Sequence, residues 1–331
     1  MRTQPSADRG LALSVVIPVF GAEDRLDRCL DSVERELARA RLRDGAEVIV
    51  CDDATPGGLS QLLLQRHHGV QVIVSRRRLG FAANANLGVR AARGDSICLL
   101  NSDMYPLPGF FVGFRDRFAD PSVFAVTGRI LEPSGDDAGC KRLEIDGARV
   151  VLTVFGIRDP RADRAGLSPY ANGGGSFFRR RAFLELGGFD PAFAPFYWED
   201  TDLGYRAWRR GYRILYDPTR SVQHDHQGTI GRFDRDVVKR AYQRNRRRFI
   251  WHNNTAVGLP RLFAETTLKP TLRALARLRL RRAYRLLGDA AALPHAVTAR
   301  RALRRAEVIG DAELARLWRF WDEERRGGPP R

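Results

Sequence analysis

The 331-residue sequence has no long hydrophobic run. The longest, Leu11 to Phe20, is broken by Ser14 and Pro18, whereas a helix that crosses a bilayer takes roughly 20 apolar residues. Met1 to Gly10 are polar and carry nothing like the apolar segment of a secretory leader, so the expectation is a flexible N-terminus over residues 1–10 and a cytoplasmic protein. Cysteine is scarce. Cys29, Cys51, Cys98 and Cys140 stand singly, with no CxxC pair, and three of them fall inside apolar helix or strand patterns, which predicts buried thiols rather than disulfides or zinc ligands. No GxGxxG follows the first apolar run, where Gly21 leads into Ala22, Glu23 and Asp24; that argues against a dinucleotide-binding dehydrogenase. Lysine occurs only at positions 141, 239 and 269.

Arginine makes up the difference. The formal charge is +17, and it is local: residues 230–331 hold 25 Lys and Arg against 10 Asp and Glu, while residues 1–229 hold 31 against 29. Such a concentration points to an anionic partner for the C-terminal third, a membrane surface or a polyanion, or else to a solvated basic helical face in an Arg-biased proteome. With 44% hydrophobic residues the chain is long enough for one substantial core or two half-domains sharing a cleft.

The first half alternates strand-like and helix-like runs, the pattern of an α/β domain with a largely parallel sheet. Strands are predicted over Leu13 to Val19, Val48 to Cys51, Val70 to Val74 and Ile97 to Leu100. Leu26, Leu30, Val33 and Leu37 recur at helical spacing after the first, and a small-residue helix from Ala82 to Ala92 precedes the fourth. Asp52 and Asp53 follow the second strand; Asn101 and Asp103 follow the fourth. Ligands of open α/β sheets bind at the carboxyl ends of strands, so two acidic pairs at two such ends suggest one shared site. After Phe124 the alternation weakens, and Glu132 to Gly139 and Arg158 to Pro169 read as loops. Asn172 to Ser176 form a Gly-rich turn, Arg180 to Leu186 a helix closed by Gly187 and Gly188, and Arg213 to Tyr216 a strand. Beyond Phe233 the pattern is helical, with breaks at Asn253-Asn254, Gly258 to Pro260 and Pro294.

Three stretches carry chemistry. Asn101-Ser102-Asp103 offers two side-chain oxygens at i and i+2, which point to one side of an extended segment and suit a hard ion such as Mg2+ or Mn2+ leaning on substrate phosphates; the same tripeptide also serves as an Asx-turn. Tyr197 to Asp202 packs Glu199, Asp200 and Asp202 beside bulky aromatics. A helix starting near Glu199 would favour such acids through its dipole by ~0.3–1 kcal/mol each. It leaves Phe196, Tyr197 and Trp198, which suit stacking on a sugar ring, unexplained. Glu199 and Asp200 project about 100° apart on a helix, so only one can face a reacting carbon. His224 and His226 lie in a polar loop after the strand, as metal ligands or as surface residues.

In this order the stretches resemble the family 2 glycosyltransferases of the GT-A fold, especially bacterial enzymes of cell-surface polysaccharide synthesis, rhamnosyltransferases among them. The resemblance runs from Val15 to Phe20, through Val48 to Thr55, Leu79 to Gly88 and Leu100 to Asp103, to Gly187 to Asp190, Trp198 to Leu203 and His224 with Thr229. It implies a GT-A catalytic domain over residues 11–230, with a nucleotide-binding half (11–125) and an acceptor-binding half (126–230), followed by a basic helical extension over 231–331. It implies a donor nucleotide held by Pro18, Val19, Phe20, Asp52, Asp53, Gly80, Asn86, Asn101 and Ser102. Gly173, Gly174, Trp198 and Glu199 would line the donor sugar and acceptor, Asp103 and His224 would hold the metal, and Asp200, with Glu199 beside it, would be the base of an inverting displacement. Three positions depart from the strictest pattern: Asn101 replaces the first Asp of a DxD, Arg78 stands where relatives often have Asn, and Thr55 replaces a frequent Ser.

The implied partners are a UDP-, dTDP- or GDP-sugar, a glycan or lipid-linked acceptor, and no nucleic acid. Lys269, Arg273, Arg277, Arg281 and Arg285 recur every four residues among leucines, a pattern for peripheral contact with the inner face of the cell membrane, for packing on the catalytic domain, or for a homo-oligomer. A catalytically silent sugar-nucleotide binder would have lost a base or metal ligand, and a nucleic-acid-binding protein would not explain acids at strand ends.

Overall fold

The computed structural model describes residues 11–21, 23–225, 233–276 and 283–325, the side chains of residues 283–285 and 320–325 excepted. Strands β1 (Leu13–Val19), β2 (Ala46–Asp52) and β3 (Gln71–Val74) alternate with helices α1 (Glu23–Arg39), α2 (Gln61–Arg66) and α3 (Phe81–Ala91), followed by β4 (Ser96–Leu99) and β5 (Met104–Pro106). Strands β6 (Val123–Leu131), β7 (Asp136–Asp146), β8 (Arg149–Gly156), β9 (Gly166–Leu167) and β10 (Ser176–Arg179) lead to α4 (Arg180–Glu185), α5 (Glu199–Arg209) and β11 (Arg213–His224). Helices α6 (Arg235–Asn253), α7 (Leu259–Phe263), α8 (Lys269–Leu275), α9 (Ala283–Ala291), α10 (Leu293–Arg305) and α11 (Asp311–Arg325) complete the chain.

One sheet runs β3-β2-β1-β4-β10-β6-β11-β5. Its first four strands are parallel, as the alternation of apolar strands and crossover helices dictates. Strand β10 enters antiparallel between β4 and β6, and β11 lies parallel to β6 but antiparallel to β5. The α/β class and the first four strands thus match the expectation, each to within about two residues. The four cysteines are all free and buried.

Two parts of the second half differ from the sequence reading. Glu132 to Gly139 is not a loop throughout: β7 starts at Asp136 and pairs with β8 in a hairpin whose register shifts between Asp137 and Lys141. Gly139 sits at that irregularity because a Cβ there would meet the Gly128 carbonyl oxygen at 1.8 Å. Likewise β11 does not stop at Tyr216 but continues to His224 through a shift between Asp217 and Ser221. The polar and proline residues at 217–219 hide that continuation, since they read as a turn while the bulge carries the strand past them.

The C-terminal helices share the core of the sheet. Phe249, Ile250, Trp251, Leu262, Ala296, Leu303 and Leu314 belong to the same buried cluster as Val16, Ile49 and Trp208. Much of the basic charge is spent inside the molecule: Arg246 donates to the Val150 carbonyl at 2.6 Å, Arg247 pairs with Asp289 at 3.0 Å, and Arg300 donates to the Val257 carbonyl at 2.7 Å. The four-residue repeat of basic side chains is only partly visible, because Arg277 and Arg281 lie outside the described residues, as do His226, Thr229, residues 1–10 and the side chain of Arg285.

Candidate active site

At the carboxyl ends of β1 and β4 the sheet opens into a cavity of about 940 Å3, within the range usual for small-molecule sites. Pro18, Val19 and Phe20 line it from the end of β1, and Asn101, Ser102 and Asp103 from the segment after β4. Gly173, Gly174, Trp198, Glu199, Asp200 and His224 close the far side. Helix α6 and the residue before its cap add Phe233, Arg235, Lys239 and Tyr242.

Register explains why Asp103 meets His224. Strand β5 pairs antiparallel with β11 so that His224 faces Met104, and the Asp225 amide donates to the Asp103 carbonyl at 2.9 Å. Asp103 Oδ1 lies 3.6 Å from His224 Nε2, while His224 Nδ1 is 2.8 Å from Glu132 Oε1. Glu132 follows Leu131, which pairs with Gln223 in the parallel β6–β11 ladder, so parallel advance brings Glu132 beside His224. Burial draws the imidazole down, but hydrogen bonds and charge from Asp103 and Glu132 outweigh it and push His224 up to about 9. An imidazole whose far nitrogen is fixed by a carboxylate is the usual dress of a metal-ligating histidine. Asp103 thus stands opposite with a carboxylate oxygen, and the chemistry of this pair fits a divalent ion that would draw its other ligands from phosphate and water.

Asn101 and Ser102 are not in an extended segment. The Met104 amide donates to the Asn101 carbonyl at 3.0 Å, so residues 101–103 form a turn and the i, i+2 argument does not apply. Strand β10 brings the glycines against that turn by pairing Ser176 with Leu99. A Cβ on Gly174 would meet the Asn101 amide group at 2.6–2.8 Å, and one on Gly173 the Phe81 ring at 2.8 Å. These glycines are required by protein neighbours.

The acidic stretch divides its labour. Asp202 is buried and paired, accepting from Arg206 Nε at 2.8 Å and from Asn253 Nδ2 at 2.7 Å. Tyr197 and Trp198 both adopt left-handed backbone, φ 74° and 75°, a costly pair for bulky residues. Asn245 of α6 holds that corner, its amide donating to the carbonyls of Phe193, Phe196 and Tyr197. The corner delivers Glu199 and Asp200 to the cavity in the first turn of α5. Asp200 Oδ1 accepts from the Thr201 amide at 2.6 Å and Oδ2 from the Gly173 amide at 3.4 Å. Burial pushes Glu199 well above the carboxylate range, and the neighbouring Asp200 charge adds to it. Burial also raises Asp200, but Lys141 and the Thr201 and Gly173 amides oppose the rise. The two carboxylates titrate as a pair: burial raises both, while Lys141 and the two amides favour charge on Asp200.

Lys141 was invisible as a site residue in the sequence. It is buried on β7, donates to Asn172 Oδ1, and lies 3.9 Å from the centroid of the Tyr170 ring. Burial pulls its ammonium down to about 7 against the charges of Asp200 and Asp137. Arg78 is the other addition: its guanidinium lies 3.8 Å from the Phe20 ring centroid and 5.3 Å from that of Phe233, a cation on the cavity wall.

Several expected residues sit elsewhere. Trp198 touches the cavity, but it is 3% exposed and packs on Tyr242 and Phe249, so it belongs chiefly to the core. Asn86 does not line the cavity; its amide donates to the Phe189 carbonyl at 2.7 Å and accepts from the Phe189 amide at 2.9 Å. Asp53 and Gly80 do line it, with the Asp53 carboxylate accepting from the Leu79 and Gly80 amides at 2.5 and 2.9 Å. Asp52 lies behind the wall: Oδ1 accepts from the Thr55 amide at 3.0 Å and Oδ2 is buried without a hydrogen-bond partner.

Known proteins share this architecture. The sequence model of glycosyl transferase family 2 matches residues 14–187. The pre-mycofactocin glycosyltransferase of Mycobacterium tuberculosis is 28% identical over 224 residues, 67% of this chain and 44% of the relative. The N-acetylglucosaminyl-diphospho-decaprenol L-rhamnosyltransferase of the same organism is 27% identical over 245 residues, 66% of this chain and 78% of the relative. The chain thus spans less than half the length of the first of these. The solved mannosyltransferase PcManGT from Pyrobaculum calidifontis, in complex with GDP-Man and Mn2+, superposes with a TM-score of 0.52 at 21% identity, covering 96% of this chain and 84% of that one. At that identity the likeness is one of fold.

Proposed function

The chain belongs to glycosyl transferase family 2, and on that footing we propose that it transfers a sugar from a nucleotide-diphosphate donor to an acceptor hydroxyl with inversion at the anomeric carbon. The observation that carries this reading is the meeting, in one cavity, of an Asp103–His224 pair backed by Glu132 with the adjacent carboxylates of Glu199 and Asp200.

Asp103 and His224 would hold Mn2+ or Mg2+, which when bound offsets the charge of the departing diphosphate as a Lewis acid. The chain's own groups do the rest. Arg78, stacked on Phe20, presents its guanidinium to the nucleotide side of the cavity, and the unpartnered Oδ2 of Asp52 behind that wall is the acceptor proposed for the base. Asp200 takes the proton of the attacking hydroxyl as the sugar moves from diphosphate to acceptor; its pKa, raised by burial, makes it a stronger base than a solvated aspartate. Glu199, buried and raised well above the carboxylate range, would donate to the sugar or acceptor. Lys141 keeps Asp200 ionised, and Asn245 holds the corner that aims it.

The donor is a UDP-, dTDP- or GDP-sugar and the acceptor a glycan or lipid-linked sugar, the latter supported by the diphospho-decaprenol in the name of the L-rhamnosyltransferase relative. No helix among the described residues is long and apolar enough to cross a membrane. Leu272 and Leu287 are 55% and 72% exposed, the first on α8 beside Lys269 and Arg273 and the second on α9, which supports peripheral contact with an anionic membrane face. Flotation with anionic liposomes is expected, and Leu272→Glu with Leu287→Glu is expected to abolish it; unchanged flotation removes the contact.

Asp200→Asn tests the mechanism. Transfer is expected to fall by about 10²–10⁴-fold, the usual contribution of a general base, with donor affinity kept. Near-normal turnover by that variant would take Asp200 out of the reaction.

A further inference from the structure

Near the C-terminal end of α6, beyond the residues of that helix that line the substrate cavity, two histidines and an aspartate converge. Asp190 follows the Gly187-Gly188 turn, and its Oδ1 caps a short turn by accepting from the Ala192 amide at 2.9 Å. That hydrogen bond fixes the carboxylate so that Oδ2 faces His295 Nε2 of α10 at 2.8 Å and His252 Nδ1 of α6 at 3.7 Å. The three ligand atoms lie within 4.8 Å of one another. His252 is 3% exposed, and its buried Nδ1 has no hydrogen-bond partner. A buried ring nitrogen left unpaired is costly, and this one points at the shared carboxylate oxygen. Arg248 turns its guanidinium to the Ala192 carbonyl, leaving Asp190 Oδ2 to the two imidazoles.

We propose that Asp190, His252 and His295 form a second metal site, distinct from Asp103 and His224, that takes a zinc-type divalent cation and clamps α6 and α10 to the Gly187–Phe193 segment. Two imidazoles and one carboxylate suit Zn2+ rather than Mg2+ or Ca2+, which take oxygen ligands. Ligand atoms around tetrahedral zinc sit roughly 3.3 Å apart for bonds near 2.0–2.1 Å, between the two distances observed, so binding needs His252 to close on Asp190 and His295 to draw back, each by about 0.5 Å. His295 is half exposed, which leaves the fourth position open to water. The other cluster of this kind among the described residues, Asp27, Asp31 and His67, is already neutralised: Arg66 pairs with both aspartates at 2.5 Å, and His67 has Asp27 and Glu34 on its two nitrogens.

The clamp has a mechanical consequence. Asn86 grips the Phe189 backbone, so the segment that the ion would fasten is already tied to α3 and from there to the parallel sheet. Occupancy would lock the C-terminal helices onto the catalytic core.

The test is a zinc titration of the full chain after chelator stripping, read by a competing chromophoric chelator and by elemental analysis, with thermal melting alongside. It uses the Asp103→Asn/His224→Ala background, so that the donor-side pair cannot contribute. One equivalent of Zn2+ is expected to bind and to raise the melting temperature. Adding His295→Ala, or separately Asp190→Asn, is expected to weaken binding at least about tenfold and to erase the thermal shift, while Mg2+ produces none in any variant. The half-exposed His295 can be removed without opening the core, and Asp190→Asn keeps the cap on Ala192, so one of the two reports even if the other misfolds. Absence of stoichiometric zinc in the double variant, or a titration unmoved by His295→Ala and Asp190→Asn, overturns the proposal.

Discussion

The ionisation of Lys141, buried on β7, and that of Asp200 depend on each other. Burial alone drives Asp200 upward and Lys141 downward, and each charge resists the other's loss. A cation beside a carboxylate stabilises its ionised form, so removing the cation raises the carboxylate's pKa. Lys141→Met is therefore expected to move the acidic limb of kcat/KM, the limb on which Asp200 must lose its proton, to higher pH. The alkaline limb is expected to lose any contribution from Lys141 deprotonating near 7. A profile identical to wild type would remove Lys141 from the site. Nothing in the sequence singles Lys141 out beyond its rarity, because its importance depends on burial behind Tyr170 and Asn172. Asp200, Asp103 and His224, in contrast, stood out in the sequence as candidates, and all three line the one cavity. Arg78 appeared only as a departure from the family pattern, and stacking on Phe20 gives it a place on the cavity wall.

At the scale of elements, α6 supports α5. Asn245 spans three carbonyls at the Phe193 to Tyr197 corner, and Asn253 caps the buried Asp202. Asn245→Ala would leave those carbonyls without their donor, at a cost of about 1–3 kcal/mol for an unsatisfied buried group, and would relax the left-handed corner that aims Asp200. Urea denaturation is expected to show that loss, together with a fall in kcat larger than any change in donor affinity. Stability and turnover both unchanged would mean that the corner holds itself. The corner also shows where sequence patterning stops. The helix start at Glu199 was readable, but left-handed backbone at Tyr197 and Trp198 was not, since bulky aromatics do not advertise it. The β7–β8 hairpin and the extension of β11 to His224 were missed because bulges break the period-two pattern on which strand recognition rests. With β11 extended, Glu132 falls beside His224, a contact that depends on register and that no motif carries.

For the whole molecule, the parallel half of the sheet was legible because each of its strands is a short apolar run ending in polar residues. The C-terminal third was less so: its arginines read as a basic surface, yet many cap carbonyls inside a core shared with the catalytic domain. That sharing lets α6 furnish one wall of the substrate cavity, with Arg235 and Lys239 among its lining. The account as a whole requires that this cavity be the donor site and that Asp103 and His224 make binding there depend on a divalent ion. Calorimetric titration of nucleotide-diphosphate sugars, with and without Mn2+, on wild type, Asp103→Asn and Asp200→Asn addresses this directly. For the donor that binds, Mn2+ is expected to tighten wild type and Asp200→Asn alike, and Asp103→Asn is expected to lose at least about tenfold in affinity, or about 1.4 kcal/mol. Donor binding to Asp103→Asn as tight as to wild type, or indifferent to Mn2+ throughout, would contradict the account.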